Sequence, residues 1–403
     1  MKTIIVGGGL GGLVGALKLA NAGEKVSLIE KTDLGGRGRS PELGGRRVNL
    51  GAHALFRAGV AAAELKALGI QWKSIPPSST GVFAVDGGEL LPLATSAVGL
   101  TTSPLLDGGR FGFLRAMVEL ERAKSSDDAL TLKQWVDRFG LPRRPRQLLL
   151  TLLRVASYLE APDVVSAGPI VRNLRAAVNA NVAYLEGGWQ TLIDQLRERC
   201  GQAGVELRQA RVERVHADGT VELAGGERLH GDAVITALPL EDTVNVTQSP
   251  ELKAIAAGAV EARAACLDVV LDTLPRSTHR VALGLDRPTY FSVHFESEGS
   301  AQLHGLFYLA PGDDGATARE ELEALFDQMQ PGWRAHVKES RWLPHLSVMS
   351  RALKPGDAAG PVRLSERVWA AGDWSGPGIL ADGAVASVSL ACRARLESAK
   401  LAA

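Results

Sequence analysis

Thr3-Ile4-Ile5-Val6-Gly7-Gly8-Gly9-Leu10-Gly11-Gly12 stands near the start of the chain, after Met1-Lys2. The apolar run Thr3 to Val6 predicts a short buried strand. Gly7, Gly9 and Gly12 follow it at G-x-G-x-x-G spacing. Ala16, Leu17 and Ala20 recur at helical intervals, which predicts a helix from about Leu13 to Ala22 that stops at Gly23. Lys25 to Ile29 reads as a second strand ending on Glu30. Such a unit is built to hold a dinucleotide. Gly7 permits the tight turn, Gly9 lets backbone approach a pyrophosphate, and Gly12 lets helix and strand pack closely. With Leu10 and Gly11, the helix start offers unpaired N–H groups and a partial positive charge to phosphate. Glu30 stands where a carboxylate accepts ribose hydroxyls, and it would repel a 2′-phosphate. NADP is thereby disfavoured, and NAD and FAD remain. Among 45 glycines in 403 residues the bare spacing arises by chance about 0.5 times per chain. The flanking strands and helix therefore carry the inference, against the plain alternative of a glycine-rich turn.

Further segments separate the two cofactors. Glu30-Lys31 is followed by Gly35-Gly36-Arg37-Gly38-Arg39-Ser40 and then Val48-Asn49-Leu50-Gly51-Ala52-His53. Gly187-Gly188-Trp189 precedes a predicted helix, Gln190 to Arg199, and Asp232 to Pro239 reads as a buried strand ending in Ala237-Leu238-Pro239. Far along lies Ala370-Ala371-Gly372-Asp373-Trp374, then Leu380-Ala381-Asp382-Gly383-Ala384. These segments, in this order, resemble the FAD-dependent amine oxidase and phytoene desaturase superfamily. The stretch from Gly372 to Ala384 looks closer to its desaturase branch.

The resemblance implies an α/β fold: a Rossmann-type FAD-binding domain with a discontinuous α+β substrate domain. The FAD domain would comprise residues 1–60, 185–245 and 355–403, and the substrate domain residues 61–184 and 246–354. It implies cofactor contacts at Gly7, Gly9, Leu10, Gly11, Gly12, Glu30, Lys31, Gly35, Gly36, Arg37, Gly51, Ala52 and His53. Val212, through its backbone, and Gly372, Asp373, Leu380, Ala381 and Ala384 complete the set. Arg37 can neutralise pyrophosphate; otherwise it and Arg39 are surface arginines. Asp373 would bind the ribityl–phosphate region; otherwise it is a turn or capping residue. The helix beginning near Ala381 would stabilise negative charge on a reduced flavin ring. No cysteine stands where some amine oxidases attach flavin covalently, because Cys392 falls deep in the last helix. Noncovalent FAD is expected. A second G-x-G-x-x-G is absent, and with it a dedicated NAD(P)H domain.

Composition bounds the rest. Lys+Arg and Asp+Glu number 45 each, so no net field draws the protein to nucleic acid. Cys200, Cys266 and Cys392 are scattered, which fits a reducing compartment and argues against disulfides or zinc. Lys2 leads straight into the strand, which predicts no secretory leader and a cytoplasmic protein. Leu90 to Leu106 is uncharged but holds Pro92, Gly99 and Pro104, so it reads as an irregular greasy loop and a possible contact with a membrane surface. Helical patterns fill much of Val60 to Tyr184: Ala61–Leu68, Phe113–Lys124, Leu132–Phe139, Arg146–Ser157 and Ser166–Ala177. Ala264–Leu271, Tyr290–Phe295 and Gln302–Tyr308 read as strands, and Thr317–Met329 as an amphipathic helix. G-x-x-x-x-G-K, H-E-x-x-H and G-x-S-x-G are absent, so P-loop, zincin and simple hydrolase readings lack support.

The chemistry expected is dehydrogenation of a hydrophobic small molecule, with hydride passing to flavin N5. Proton loss needs a base, and His53, beside Gly51-Ala52, is the candidate; a loop histidine serving packing is the plain alternative. His294, His304 and His345 are further candidates. Trp189, Phe291, Phe307, Tyr308 and Trp374 are candidates to line an apolar cavity, though such aromatics are commonly core residues. Oxidation of an amine C–N bond, with O2 as acceptor, is the second reading. A non-catalytic FAD-binding assembly factor is the third.

Overall fold

The computed structural model describes residues 1–96, 99 and 102–401, with backbone only at Leu401. Its first strand, Lys2–Val6, lies inside a six-stranded sheet. The order is Glu206–Gln209, Lys25–Glu30, Lys2–Val6, Ala233–Ala237, Val368–Ala371 and Val362–Arg363. All pairings are parallel except the last. Ile4, Ile5, Leu28, Val234 and Ile235 have no or almost no exposure, because helices cover one face and a small three-stranded sheet the other.

The first helix spans Leu10–Asn21, beginning three residues before the expected start. Gly11 and Gly12 are thus helical and not part of a loop. A Cβ on Gly12 would stand 1.9 Å from the Gly7 carbonyl oxygen, so the helix enters with backbone against backbone. Gly7 itself has φ +111°, which a side chain rarely tolerates. The helix then packs on the final helix, Leu380–Leu401, through Leu13, Val14, Leu17, Val385, Val388 and Cys392.

A seven-stranded sheet forms the second layer. Its order is Val337–Ala352, Val260–Leu271, Ser300–Leu309, Thr289–Ser297, Val281–Gly284, Val82–Asp86 and Glu89–Pro92. Alternation sends Phe291, Val293, Leu303 and Phe307 under the helix Ala318–Met329. Ala264, Cys266, Tyr290, Leu306 and Tyr308 face the other way, with Ala52 and Leu346. Four helices, Arg110–Arg122, Leu132–Asp137, Arg143–Ser157 and Ala167–Ala180, enclose a further core around Phe113, Trp135, Leu148, Leu153 and Ile170.

One stretch differs from expectation, and a second carried none. Within the supposedly helical block, Val82–Asp86 and Glu89–Pro92 form a hairpin whose two-residue Gly87-Gly88 turn has both φ angles positive. Part of Leu90 to Leu106 is therefore strand and not loop. Leu105 and Leu106 are buried in the helical core. Residues 97, 98, 100 and 101 of that stretch lie outside the described residues. The second stretch is Val337–Ala352, a sixteen-residue edge strand. Among the described residues no helix is long and apolar enough to cross a membrane.

Gly12→Ala should cost about 3 kcal/mol or more of stability, because the added methyl meets backbone that cannot rotate away. Urea unfolding measures this, and a midpoint equal to that of the unsubstituted protein would contradict the packing described.

Candidate active site

A cavity of about 840 Å3 runs from the first glycine turn to the seven-stranded sheet, at the upper end of the range for small-molecule sites. Every cofactor-contact residue named from the sequence lines it, with the exception of Gly12. Gly12 serves the helix–strand approach instead.

One end is built for an adenosine diphosphate. Helix geometry leaves the N–H groups of Leu10, Gly11 and Gly12 without intrahelical partners; the first helical bond is from Leu13 N to Gly9 O at 3.0 Å. No acidic residue occupies that first turn. A Cβ built on Gly9 would meet nothing within 4 Å, so space lies open over the turn. Glu30 is oriented in advance: its carboxylate accepts Gly8 N at 2.7 Å and Thr32 N at 3.0 Å. Val212 and Arg211 stand in the same wall. Lys31 reaches Asp242 across the rim at 3.3 Å. The open cradle over Gly9 and the poised carboxylate fit a dinucleotide such as FAD.

Midway, Arg37 donates to Asp373 at 2.7 Å and to the Val348 carbonyl at 2.8 Å. Two residues expected to meet a cofactor separately thus meet each other. Asp373 also accepts the N–H and hydroxyl of Ser350, at 2.8 and 3.0 Å. It is held by three donor contacts and is nearly fully buried. The final helix presents its N-terminus to the cavity at Leu380, Ala381 and Ala384. Leu380 has φ +56°, a strained conformation for leucine in a cavity wall. Asp382 accepts Ala61 N at 2.7 Å, and burial pushes its carboxyl up to about 6.

The other end is apolar. Leu50, Ala52, Tyr158, Leu306, Leu346, Val348 and Ile379 line it, with His53 among them. Nδ1 of His53 lies 3.2 Å from the Gly51 carbonyl, which can only accept. Protonated at Nδ1, the ring can donate to it. Burial lowers the His53 pKa against the opposing pull of that carbonyl, so the ring is held neutral. Its edge meets Trp189, centroid to centroid 5.5 Å.

The other sequence candidates divide. Trp189 lines the cavity. Phe291 and Phe307 point beneath the helix on the far face of the sheet. Trp374 is buried against Leu240 and Leu252, its indole N–H bound to the Leu238 carbonyl at 3.1 Å, and is not in the wall. Tyr308 sits behind Leu306 in the same cluster as Tyr290. His294 and His304 are buried with ring centroids 4.4 Å apart, whereas His345 is exposed on the edge strand. Leu306, Leu346 and Tyr158 were not legible as cavity residues, because nothing in their local sequence separates them from ordinary core. Among the described residues no cluster of His, Cys, Asp and Glu could hold a metal, and no cysteine lines the cavity.

Gly9→Ala should leave unfolding stability within about 0.5 kcal/mol, since the methyl meets open space. It should weaken FAD binding at least about tenfold, read by flavin fluorescence, because the methyl fills the phosphates' approach. Asp382 gives a pH test. Its folded pKa is raised above the 3.8 of the free group, so its stabilising share is complete below that value and is lost as pH rises through about 6. Asp382→Asn should therefore stabilise the FAD-free protein at pH 7 to 8 by about 2–3 kcal/mol, the gain vanishing below about pH 4. A gain independent of pH would refute the assigned cause.

The family model for flavin containing amine oxidoreductases matches residues 10–394. The 15-cis-phytoene desaturase of Arabidopsis thaliana is 29% identical over 273 residues, covering 60% of this chain and 48% of the relative. The (S)-6-hydroxynicotine oxidase of Paenarthrobacter nicotinovorans is 34% identical over 164 residues, 36% of this chain and 37% of its own. The chain spans about half the length of the phytoene desaturases it matches. In fold it is similar to an oxidoreductase from Methanosarcina mazei, with TM-score 0.79, 17% identity, and coverage of 98% of this chain and 100% of that one. It is also similar to cyclohexylamine oxidase from Brevibacterium oxydans, with TM-score 0.71, 17% identity and coverage of 98% and 99%. The chain belongs to the flavin containing amine oxidoreductase family and is an FAD-dependent oxidoreductase.

Proposed function

We propose that the protein desaturates a neutral, hydrophobic small molecule, removing hydrogen across a carbon–carbon bond. The observation that carries this reading is the apolar end of the cavity. Leu50, Leu306, Leu346, Val348 and Ile379 surround His53 there. Of the wall's buried carboxylates, Asp373 is paired with Arg37, whereas Asp382 accepts Ala61 N and has no cation partner among the described residues. Glu30 and Asp242 belong to the opposite end, and Glu213 lies beside Val212. An ammonium group entering the apolar end would lose its hydration with Asp382, at the start of the last helix, as its one unpaired counter-charge in that part of the wall among the described residues, which is costly. A hydrocarbon chain gains by the same entry.

Bound FAD supplies a two-electron acceptor for hydride. The chain's own residues do the rest. Gly9 and the first helix would hold the diphosphate, Glu30 the ribose, and Arg37 with Asp373 the region between. With no thiol in the wall, the cofactor would be held without a covalent cysteine link. His53, held neutral, would take the proton that accompanies desaturation. Partial identity to phytoene desaturases supports this reading. Amine oxidation is the second reading, supported by the local identity to a nicotine-type oxidase.

Anaerobic mixing with neutral isoprenoids should bleach the flavin absorbance, whereas a panel of primary and secondary amines should not. Bleaching by amines with peroxide release in air would select the second reading. His53→Gln should keep FAD bound and slow bleaching by about 10²–10⁴-fold. An unchanged bleaching rate would remove His53 from the chemistry.

A further inference from the structure

Asp268 has no exposure at all, in the middle of the apolar strand Val260–Leu271. A lone carboxylate there would be strongly disfavoured, so its partners must be sufficient. One oxygen accepts Nδ1 of His304 at 2.7 Å. The other accepts Arg341 twice, from Nη2 at 2.6 Å and Nε at 3.1 Å. The same oxygen accepts Gly51 N at 3.1 Å. His304 and Arg341 hold the Asp268 pKa below the usual carboxylate value although burial, the largest single influence, pushes it up. The group is charged in the folded protein.

This pair also reaches out of its sheet. Nη2 of Arg341 donates to the Asn49 carbonyl and, at 3.4 Å, to the Val48 carbonyl. Asp268 and Arg341 therefore grip three backbone groups of one loop: two carbonyls and the N–H of Gly51. Val48 to Ala54 has no regular hydrogen-bonded structure of its own. Its course depends on side chains brought to it. Asn49 is tied by its side chain to Ser40 and to Trp189 N, and the Tyr158 hydroxyl donates to the Ala52 carbonyl. The gripped segment continues directly into Leu50, Gly51, Ala52 and His53, which form a wall of the cavity.

We propose that Asp268 and Arg341 are positioning residues of the flavin site: the buried ion pair fixes the loop Val48–His53, and so sets where that wall and the His53 imidazole stand relative to bound FAD. The proposal rests on the reading of Leu50–His53 as a flavin-site wall. It does not rest on the nature of the substrate. The reach of the guanidinium is essential to it: Nη2 meets the carboxylate and both carbonyls, while Nε holds the group against Asp268.

Arg341→Lys separates the two jobs of the residue. A lysine keeps a cation near Asp268 but lacks Nε, and its ammonium stands one bond short of the Nη2 place between the carboxylate and the Val48 and Asn49 carbonyls. FAD titration of the purified FAD-free protein, circular dichroism in the flavin's visible bands, and thermal melting of the FAD-free protein are the readouts. The expected result is a Tm within a few degrees of the unsubstituted protein, an FAD Kd raised at least about tenfold, and an altered visible dichroism. Asp268→Asn should show the same flavin effects more strongly. Glu24→Gln, which breaks the buried Arg395–Glu24 pair beyond the far end of the first helix, should leave Kd and dichroism unchanged. Arg341→Lys with normal Kd and dichroism would overturn the proposal, as would flavin effects of equal size in Glu24→Gln. Unsubstituted protein that takes up no FAD would overturn the flavin reading itself, and this proposal with it.

Discussion

The structure depends on one close approach, the backbone of the first helix against the carbonyl of Gly7. No side chain fits between them. Because helix and turn meet there without spacers, the helix start aims its unpaired N–H groups into the cavity. The remaining elements are arranged around that axis. Val388 and Cys392 of the last helix pack beside the first, and this fixes where the last helix itself begins. Two helix N-termini, from opposite ends of the chain, thus face one cavity. Anionic phosphate suits the first, and negative charge on a reduced flavin suits the second.

The opening unit was legible because local pattern and tertiary role agree there. Thr3–Val6 is apolar since it is covered on both faces, and Glu30 ends its strand facing the turn. The helices of the 110–180 region were legible for a similar reason, as their buried faces recur at helical spacing. The strand Val337–Ala352 was not. It lies at a sheet edge, carries Lys338, Glu339, Arg341 and Pro344, and has most of its first twelve residues partly or fully exposed. An edge tolerates charge and proline, so it erases the alternation by which strands are recognised. The hairpin at Val82–Pro92 did carry a signal, Gly87-Gly88 between two apolar runs, which the surrounding helical block concealed.

The candidate site shows the same division. Glycines and charges near the cofactor end betray themselves, because each does a job that few residue types can do. The apolar end is built from Leu306, Leu346 and Tyr158, whose role is set by which way a strand or helix happens to face. Asp268 is intermediate. A single carboxylate within Ala264 to Leu271 was a visible anomaly, but its partners Arg341 and Gly51 lie far away in sequence and could not be read from it.

The parentage of the six-stranded sheet has a consequence for synthesis. Its neighbours come from residues 2–30, 206–237 and 362–371, and its inner helix from the last stretch of the chain. During translation the first strand has to wait for Val368–Ala371 to emerge before its second neighbour's outer partner arrives. Such pairings are slow to close and leave apolar edges open meanwhile. A nascent chain is therefore exposed to chaperones for much of its emergence, and a prematurely terminated product lacks the helix against which Leu13 and Val14 pack. Capture of the dinucleotide can then act as a seal on completed molecules, since any ligand bound solely by the finished fold adds its binding free energy to stability.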